Sequence, residues 1–223
     1  MVSNFKNMLL SLSLIAVFAA VTLASVYTVT KEPIAASQKA KKQNAIRDVL
    51  PAFERLGDVE KVAVETGDTL NVYKAYDENN KFAGSAVETV THNGYAGDIR
   101  LMVGFDSDGN IINYSVLEQK ETPGLGTKVV EWFKTDVKQQ NIIGKNPAKN
   151  KLTVSKDGGE VDAITAATVS SRAFLHAVQM AYEAYAGNTG APGHDGISGA
   201  SQVDSAEVET TQMSDEKQLK PKL

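Results

Sequence analysis

The sequence reads as a membrane-anchored domain of mixed strand and helix, and three stretches say so. An uncharged apolar run fills the space between Lys6 and Lys31, five short segments of strand character follow between 61 and 118, and a helical pattern of small and apolar residues begins just after Asp162. With 223 residues, 42% of them hydrophobic, the chain can bury one good core.

The apolar run comes first. Met8 to Val29 carries no charge and is long enough to cross a hydrocarbon core of ~30 Å as a helix. A cleaved signal peptide is the competing reading, but the run is long for one, and Ala24-Ser25 makes a poor small-x-small cleavage site. The chain has no cysteine, which excludes lipoprotein processing. The expectation is therefore a short leading segment (1–7) and an uncleaved single-pass anchor (8–29). Lys6 and the amino terminus precede the span, whereas Lys31, Lys39, Lys41 and Lys42 follow it, so the basic residues alone would put the domain in the cytoplasm.

From Pro33 to about Leu50 the pattern is a polar helix rich in Ala, Lys and Gln, stopped by Pro51. This is a linker (30–50) that lifts the domain (51–187) off the membrane. Strands are expected at Lys61–Val64, Leu70–Tyr76, Lys81–Thr91, Ile99–Phe105 and Ile111–Glu118, with hairpin turns at Asp77–Asn80 and Asp106–Asn110. The second turn opens Asp-x-Asp but lacks the remaining ligands of a calcium loop, so it reads as a turn with Gly109 free to take positive φ. Lys128–Lys134 reads as a short helix whose Trp132 and Phe133 belong to the core. From Asn188 onward large apolar residues nearly vanish, and that tail (188–223) is expected to be disordered.

Composition excludes several functions. The net charge is −4 and no basic cluster is interleaved with aromatics, so nucleic acid is not an expected partner. Without cysteine there is no disulfide, no thiolate-held iron–sulfur cluster and no thiolate zinc site. His92, His176 and His194 are scattered and assemble neither a metal site nor a catalytic triad.

Three motifs carry chemistry. Gly94-Tyr95-Ala96-Gly97-Asp98-Ile99 sets two glycines around an aromatic just before a strand, where backbone can approach a ligand closely. In Glu121-Thr122-Pro123-Gly124-Leu125-Gly126-Thr127, Pro123-Gly124 fits a type II turn, and the glycines offer backbone N–H groups beside one apolar residue. Such a loop suits a flat polar ring, and its glycine spacing is neither the dinucleotide nor the Walker fingerprint. In Asp162-Ala163-Ile164-Thr165-Ala166-Ala167-Thr168-Val169-Ser170-Ser171, Asp162 and Thr165 are good N-cap types. Val169, Ala173, Ala177, Met180, Ala181 and Ala184 then recur at helical spacing, which places Thr168 in the first turn. Unpaired N–H groups and the positive end of the helix dipole favour a phosphate at that point.

In this order, behind an N-terminal anchor, the three motifs resemble the FMN-binding subunit family of ion-pumping electron-transport complexes. The likeness runs from the anchor to about Gly187 and is nearer to the Rnf-type branch than to the sister Nqr-type branch, whose chains are longer. It implies an α+β fold, mostly antiparallel sheet with packed helices, in agreement with the strand-and-hairpin pattern. It further implies FMN held through a phosphoester on Thr168, with Asp162, Thr165, Ala166 and Ala167 shaping the attachment motif, and with Glu121, Thr122, Gly124, Leu125, Gly126, Gly94 and Tyr95 around the cofactor. The family motif usually has glycine where this chain has Ala166. The role implied is electron transfer in a complex that couples ferredoxin/NAD chemistry to ion translocation. The partners implied are other membrane subunits, lipid, and a separate flavin transferase that uses FAD. The resemblance also puts the domain outside the inner membrane, on the periplasmic side, against the basic-residue count. Large domains translocate largely regardless of flanking charge, so the resemblance prevails. A different class of function competes: a cofactor-free anchored scaffold whose glycine loops are only turns.

Overall fold

The computed structural model of the protein describes residues 5–64 and 66–189. The apolar run and the polar segment after it form one helix, α1 (Phe5–Val49), rather than two. Pro33 lies inside it. The ring removes one helical hydrogen bond, but it sits just past the apolar run, where water can satisfy the freed carbonyl. Within the run, Ser11, Thr22, Ser25 and Thr28 each donate their hydroxyl to a carbonyl three or four residues earlier, at 2.8 to 3.0 Å, which hides four polar groups on the apolar surface. Leu10, Phe18 and Leu23 are at least 70% exposed. A helix this apolar and this exposed needs lipid around it.

Five strands follow: β1 (Arg55–Ala63), β2 (Thr69–Tyr76), β3 (Phe82–Thr91), β4 (Ile99–Asp106) and β5 (Ile111–Glu118). They pair antiparallel in sequence order, as a meander. Both tight turns form as expected. The Asp77 carboxylate accepts the N–H of Asn79 and Lys81, and that of Asp106 accepts the N–H of Asp108 and Asn110, with Gly109 at φ +81. The Asp106 side chain is thereby committed to the turn. β1 begins six residues before the expected start, with a register shift between Leu56 and Val59. The expected helix at Lys128–Lys134 is instead two 3-10 turns, Gly126–Val130 and Trp132–Lys134.

The sheet is covered on both faces because its strands alternate. Leu70, Val72, Val87, Ile99, Leu101, Val103 and Phe105 face α2 (Thr168–Thr189), whose Phe174, Val178, Ala181 and Tyr185 complete the main core. Phe133 stacks on Phe174 at 4.5 Å, as a core residue should. Tyr73, Ala75, Ala86 and Met102 point the other way and meet Ala45, Ile46, Val49 and Leu50 at the end of α1. The last turns of the linker are therefore part of the domain. Gly104 makes this possible: a Cβ there would lie 1.8 Å from the Val49 carbonyl oxygen.

Polar contacts reinforce the joint. Lys42 pairs with Glu88 at 2.6 Å, and Asn113 donates to the Asp48 carbonyl at 2.9 Å. Burial pushes the Glu88 carboxyl up, but hydrogen bonds from Lys42 and Asn71 outweigh it and hold the group below its ordinary range. About fifteen residues separate Val29 from this joint, so at 1.5 Å per residue the helix sets the domain roughly 22 Å beyond the end of the apolar run. α2 continues two residues past the expected stop at Gly187, to Thr189. The rest of the predicted tail lies outside the described residues.

Candidate functional site

The three motifs converge on one carboxylate. Glu121, only 4% exposed, accepts the backbone N–H of Ala96 at 3.1 Å and the Ser170 hydroxyl at 2.5 Å, one on each oxygen. Two glycines close around it. A Cβ on Gly94 would fall 2.7 Å from Oε1, and one on Gly126 would fall 2.6 Å from Oε2 and 2.7 Å from the Ser170 hydroxyl. Glu121 thus ties the 94–99 loop, its own loop and the first turn of α2 into one unit. These glycines let the backbone approach the carboxylate closely.

The loop after Glu121 is the predicted turn. Leu125 N–H donates to the Thr122 carbonyl at 3.1 Å with Gly124 at φ +74, the type II arrangement, and Gly124 N–H donates to the Thr127 hydroxyl at 3.0 Å. The expectation that the glycines of this loop offer free backbone donors is corrected for Gly124, since its N–H and that of Leu125 are spent inside the loop. What it offers outward is apolar: Leu125 is 40% exposed. Tyr95 is 72% and Val169 45% exposed. Each of these three neighbours in sequence a residue that lies close to Glu121.

The entry to α2 is built differently from the sequence expectation. The helix begins at Thr168, so neither Asp162 nor Thr165 caps it. The Asp162 carboxylate instead accepts from the Ser155 hydroxyl at 3.2 Å and the Gln139 N–H at 3.4 Å, while its carbonyl accepts Trp132 Nε1–H at 2.9 Å. Thr165 is exposed in a turn closed by Ala167 N–H to the Ile164 carbonyl at 3.0 Å. Ala166 is the third residue of that turn and takes φ +63. That is the left-handed conformation glycine adopts freely and a Cβ disfavours. Ser171 acts as a reversed clamp, accepting the Ile164 N–H at 2.9 Å and donating to the Ala167 carbonyl at 3.0 Å.

The hydroxyls of the motif differ in their surroundings. Ser170 and Ser171 are buried and hydrogen-bonded, Thr165 is outside the helix, and Thr168 is the half-buried first helical residue. The N–H groups of the first turn have no intrahelical acceptor, and the dipole of a 22-residue helix adds to their pull on an anion. Beyond Thr168, a cleft of about 370 Å³ runs along α2, lined by Asn93, Val169, Arg172, Ala173 and His176. Arg172 is held at its rim by Asp157, through Nε and Nη2 at 2.8 Å each. His176 Nδ1 is buried without a hydrogen-bond partner. A larger groove, about 740 Å³, lies at the other end of α2 between Tyr76, Asn110 and Thr189, away from all three motifs.

The residues that assemble this unit are only partly legible in the sequence. Ser170 reads there as one more hydroxyl beside Thr168, and the Ala96 amide and Trp132 indole carry no local signal. Their roles depend on partners between 25 and 49 residues away.

Comparison with known proteins shows which family the chain is similar to. The FMN-binding domain family matches residues 94–183, the span from the first glycine loop through most of α2. The G subunit of the ion-translocating oxidoreductase complex of Aliivibrio fischeri strain MJ11 is 32% identical over 192 residues, which cover 81% of this chain and 90% of that protein. The corresponding protein of Yersinia pestis, which bears the same name, is 33% identical over 193 residues, at the same coverage of each chain. Among solved structures, Shewanella oneidensis NqrC matches with a TM-score of 0.40 at 20% identity, over 64% of this chain and 70% of that one. By class this is an FMN-binding domain behind an N-terminal helix that is, among the described residues, the one long and apolar enough to cross a membrane. The chain belongs to the RnfG family, the G subunits of ion-translocating oxidoreductase complexes.

Proposed function

We propose that this protein is a single-pass inner-membrane electron-transfer subunit that carries FMN on Thr168 through a phosphoester, within an Rnf-type complex coupling ferredoxin/NAD electron transfer to ion translocation. The observation that carries the proposal is the state of the hydroxyls: in the attachment motif only Thr168 is at once on the helix, at its positive end and not engaged by a neighbouring carboxylate or carbonyl. The flavin, when attached, supplies the redox steps. The chain's residues do the rest. The first turn of α2 stabilises the phosphate charge, Tyr95, Leu125 and Val169 offer an apolar surface that sheds water from a flat ring, and Glu121 keeps the three segments in register.

All three acidic side chains of the motif segments are already committed, Glu121 to Ser170 and Ala96, Asp162 to Ser155 and Gln139, and Asp98 to His92. None stands as a free base for Thr168, which supports attachment by a separate flavin transferase. The domain belongs on the periplasmic side in this reading, held off the lipid by α1, where it meets the membrane subunits of the complex. In-gel flavin fluorescence of the full chain after denaturation tests the proposal. A fluorescent band that Thr168→Val abolishes supports it, and a colourless wild-type protein produced together with its transferase refutes it.

A further inference from the structure

We propose that His92, Asp68 and Asp98 form a proton-binding clamp that ties the loop bearing Tyr95 to the β1–β2 turn, closed when the imidazole is protonated and released when it is not. Neither arm involves Thr168, so the inference stands apart from the attachment of FMN. The sheet order brings the three residues together. Asp68 directly precedes β2, His92 directly follows β3 and Asp98 directly precedes β4, and in this antiparallel meander those three points lie at one end of adjacent strands. His92 Nδ1 lies 2.8 Å from Asp98 Oδ1, and Nε2 lies 3.4 Å from Asp68 Oδ1. All three side chains are in reach of solvent, so protons reach them without unfolding.

Two carboxylates set against two ring nitrogens select the protonation state that fits. A neutral imidazole has one N–H and one lone pair, so it donates to only one of the acids and turns a lone pair toward the other, whereas the imidazolium donates to both. The hydrogen bond to Asp98, and then that to Asp68, raise the imidazole above its ordinary range. The bond from His92 lowers the Asp98 carboxyl in turn, and Lys120 and Arg100 are the other charges that act on it. The two arms differ in reach. Asp98 lies in the same loop as His92, whereas Asp68 is fixed in a separate turn, where its carbonyl accepts the Val64 N–H at 3.0 Å and its Oδ2 accepts the Thr66 hydroxyl at 2.9 Å. As pH rises through the folded-state value, the Nδ1–H tautomer keeps the local Asp98 bond and the longer arm to Asp68 is lost. The Ala96 N–H still holds Glu121, and beside it Gly97, at φ +129 with nothing within 4 Å of where a Cβ would stand, leaves the chain room to pivot. Tyr95, next in sequence to Ala96, is the exposed side chain that this release frees.

The chain has no cysteine, so Tyr95→Cys gives one site for a nitroxide label on the full-length protein in detergent micelles. Its EPR line shape is recorded from about pH 5 to about pH 9, the range that brackets histidine titration. The expected result is a restricted label at the acid end and a mobile one at the alkaline end, with a midpoint above the usual 6.5 of histidine. The His92 proton resonances, assigned by their loss in His92→Gln, should titrate at the same midpoint. Asp68→Ala is expected to leave the label mobile at every pH, and His92→Gln to abolish the transition, with the melting temperature of each variant showing that the fold persists. A wild-type label equally mobile across the range, a His92 midpoint at or below 6.5, or a transition that survives either substitution overturns the clamp.

Discussion

Ala166→Gly should make this protein more stable, although it removes a side chain and puts glycine close to the start of a helix. Ala166 takes φ +63 in the turn that feeds α2. A residue with a Cβ pays about 1–2 kcal/mol in the left-handed region, and glycine does not. Against this, glycine loses more chain entropy on folding, roughly 0.5–1 kcal/mol relative to alanine. Ala166 is exposed, so no packing is lost. The balance is a gain of about 0.5–1 kcal/mol. For a domain of this size that raises the melting temperature by about 1–4 °C. Near-UV circular dichroism of the full chain in micelles reads it, with Ala181→Gly as the contrast, since Ala181 is fully buried within α2 and its replacement should cost about 1 kcal/mol or more. Ala166→Val, which puts a branched Cβ in the same turn, should be destabilised. If Ala166→Gly melts lower than wild type, the left-handed turn is refuted.

Other outcomes follow from the same contacts. Glu121→Ala leaves the Ser170 hydroxyl and Ala96 N–H without their acceptor and should cost about 3 kcal/mol in denaturant unfolding, whereas Glu121→Gln, which can still engage both, should cost about 1 kcal/mol. Gly104→Ala drives a Cβ into the Val49 carbonyl and should free the end of α1 from the sheet, at about 2–3 kcal/mol; proteolysis that cuts preferentially between 42 and 53 would register it, and an unchanged digest would contradict the packing. His92 bonds Asp98 at 2.8 Å and Asp68 at 3.4 Å, and the Asp98 hydrogen bond holds the imidazole pKa above its usual 6.5. A raised folded-state value means the folded protein binds the extra proton. This clamp on the 94–99 loop therefore contributes in full below about pH 6.5 and fades as pH rises through the folded value, a slope that His92→Gln should remove.

Where the determinants are local, the fold is legible in the sequence. β5 has its expected bounds at Ile111–Glu118, and both hairpin turns and the Pro123-Gly124 turn carry their geometry in their residues. Thr168 falls in the first turn because the small-residue stripe has helical spacing. The stripe also misleads at its start, since Val169 is exposed rather than core. α1 reads as two segments because Pro33 and the change from apolar to polar resemble a boundary, yet the helix runs on through Pro33 to Val49. Polar Arg55–Glu60 does not read as strand because its partner β2 supplies the pairing that its own pattern does not. The Glu121 hub is unreadable for a plainer reason: it joins Ala96, Gly126 and Ser170, and no local periodicity reports a contact 49 residues away.

The account's central claim, that Thr168 is the residue to which the flavin is joined, is tested most directly by peptide mass mapping of the purified full chain, produced together with its flavin transferase. The expected result is an FMN-sized addition on the peptide containing 162–172, localised by fragmentation to Thr168, absent from Thr168→Val and partly retained in Thr168→Ser. An addition on Thr165, Ser170 or Ser171, or full labelling of the Thr168→Val protein, would contradict it.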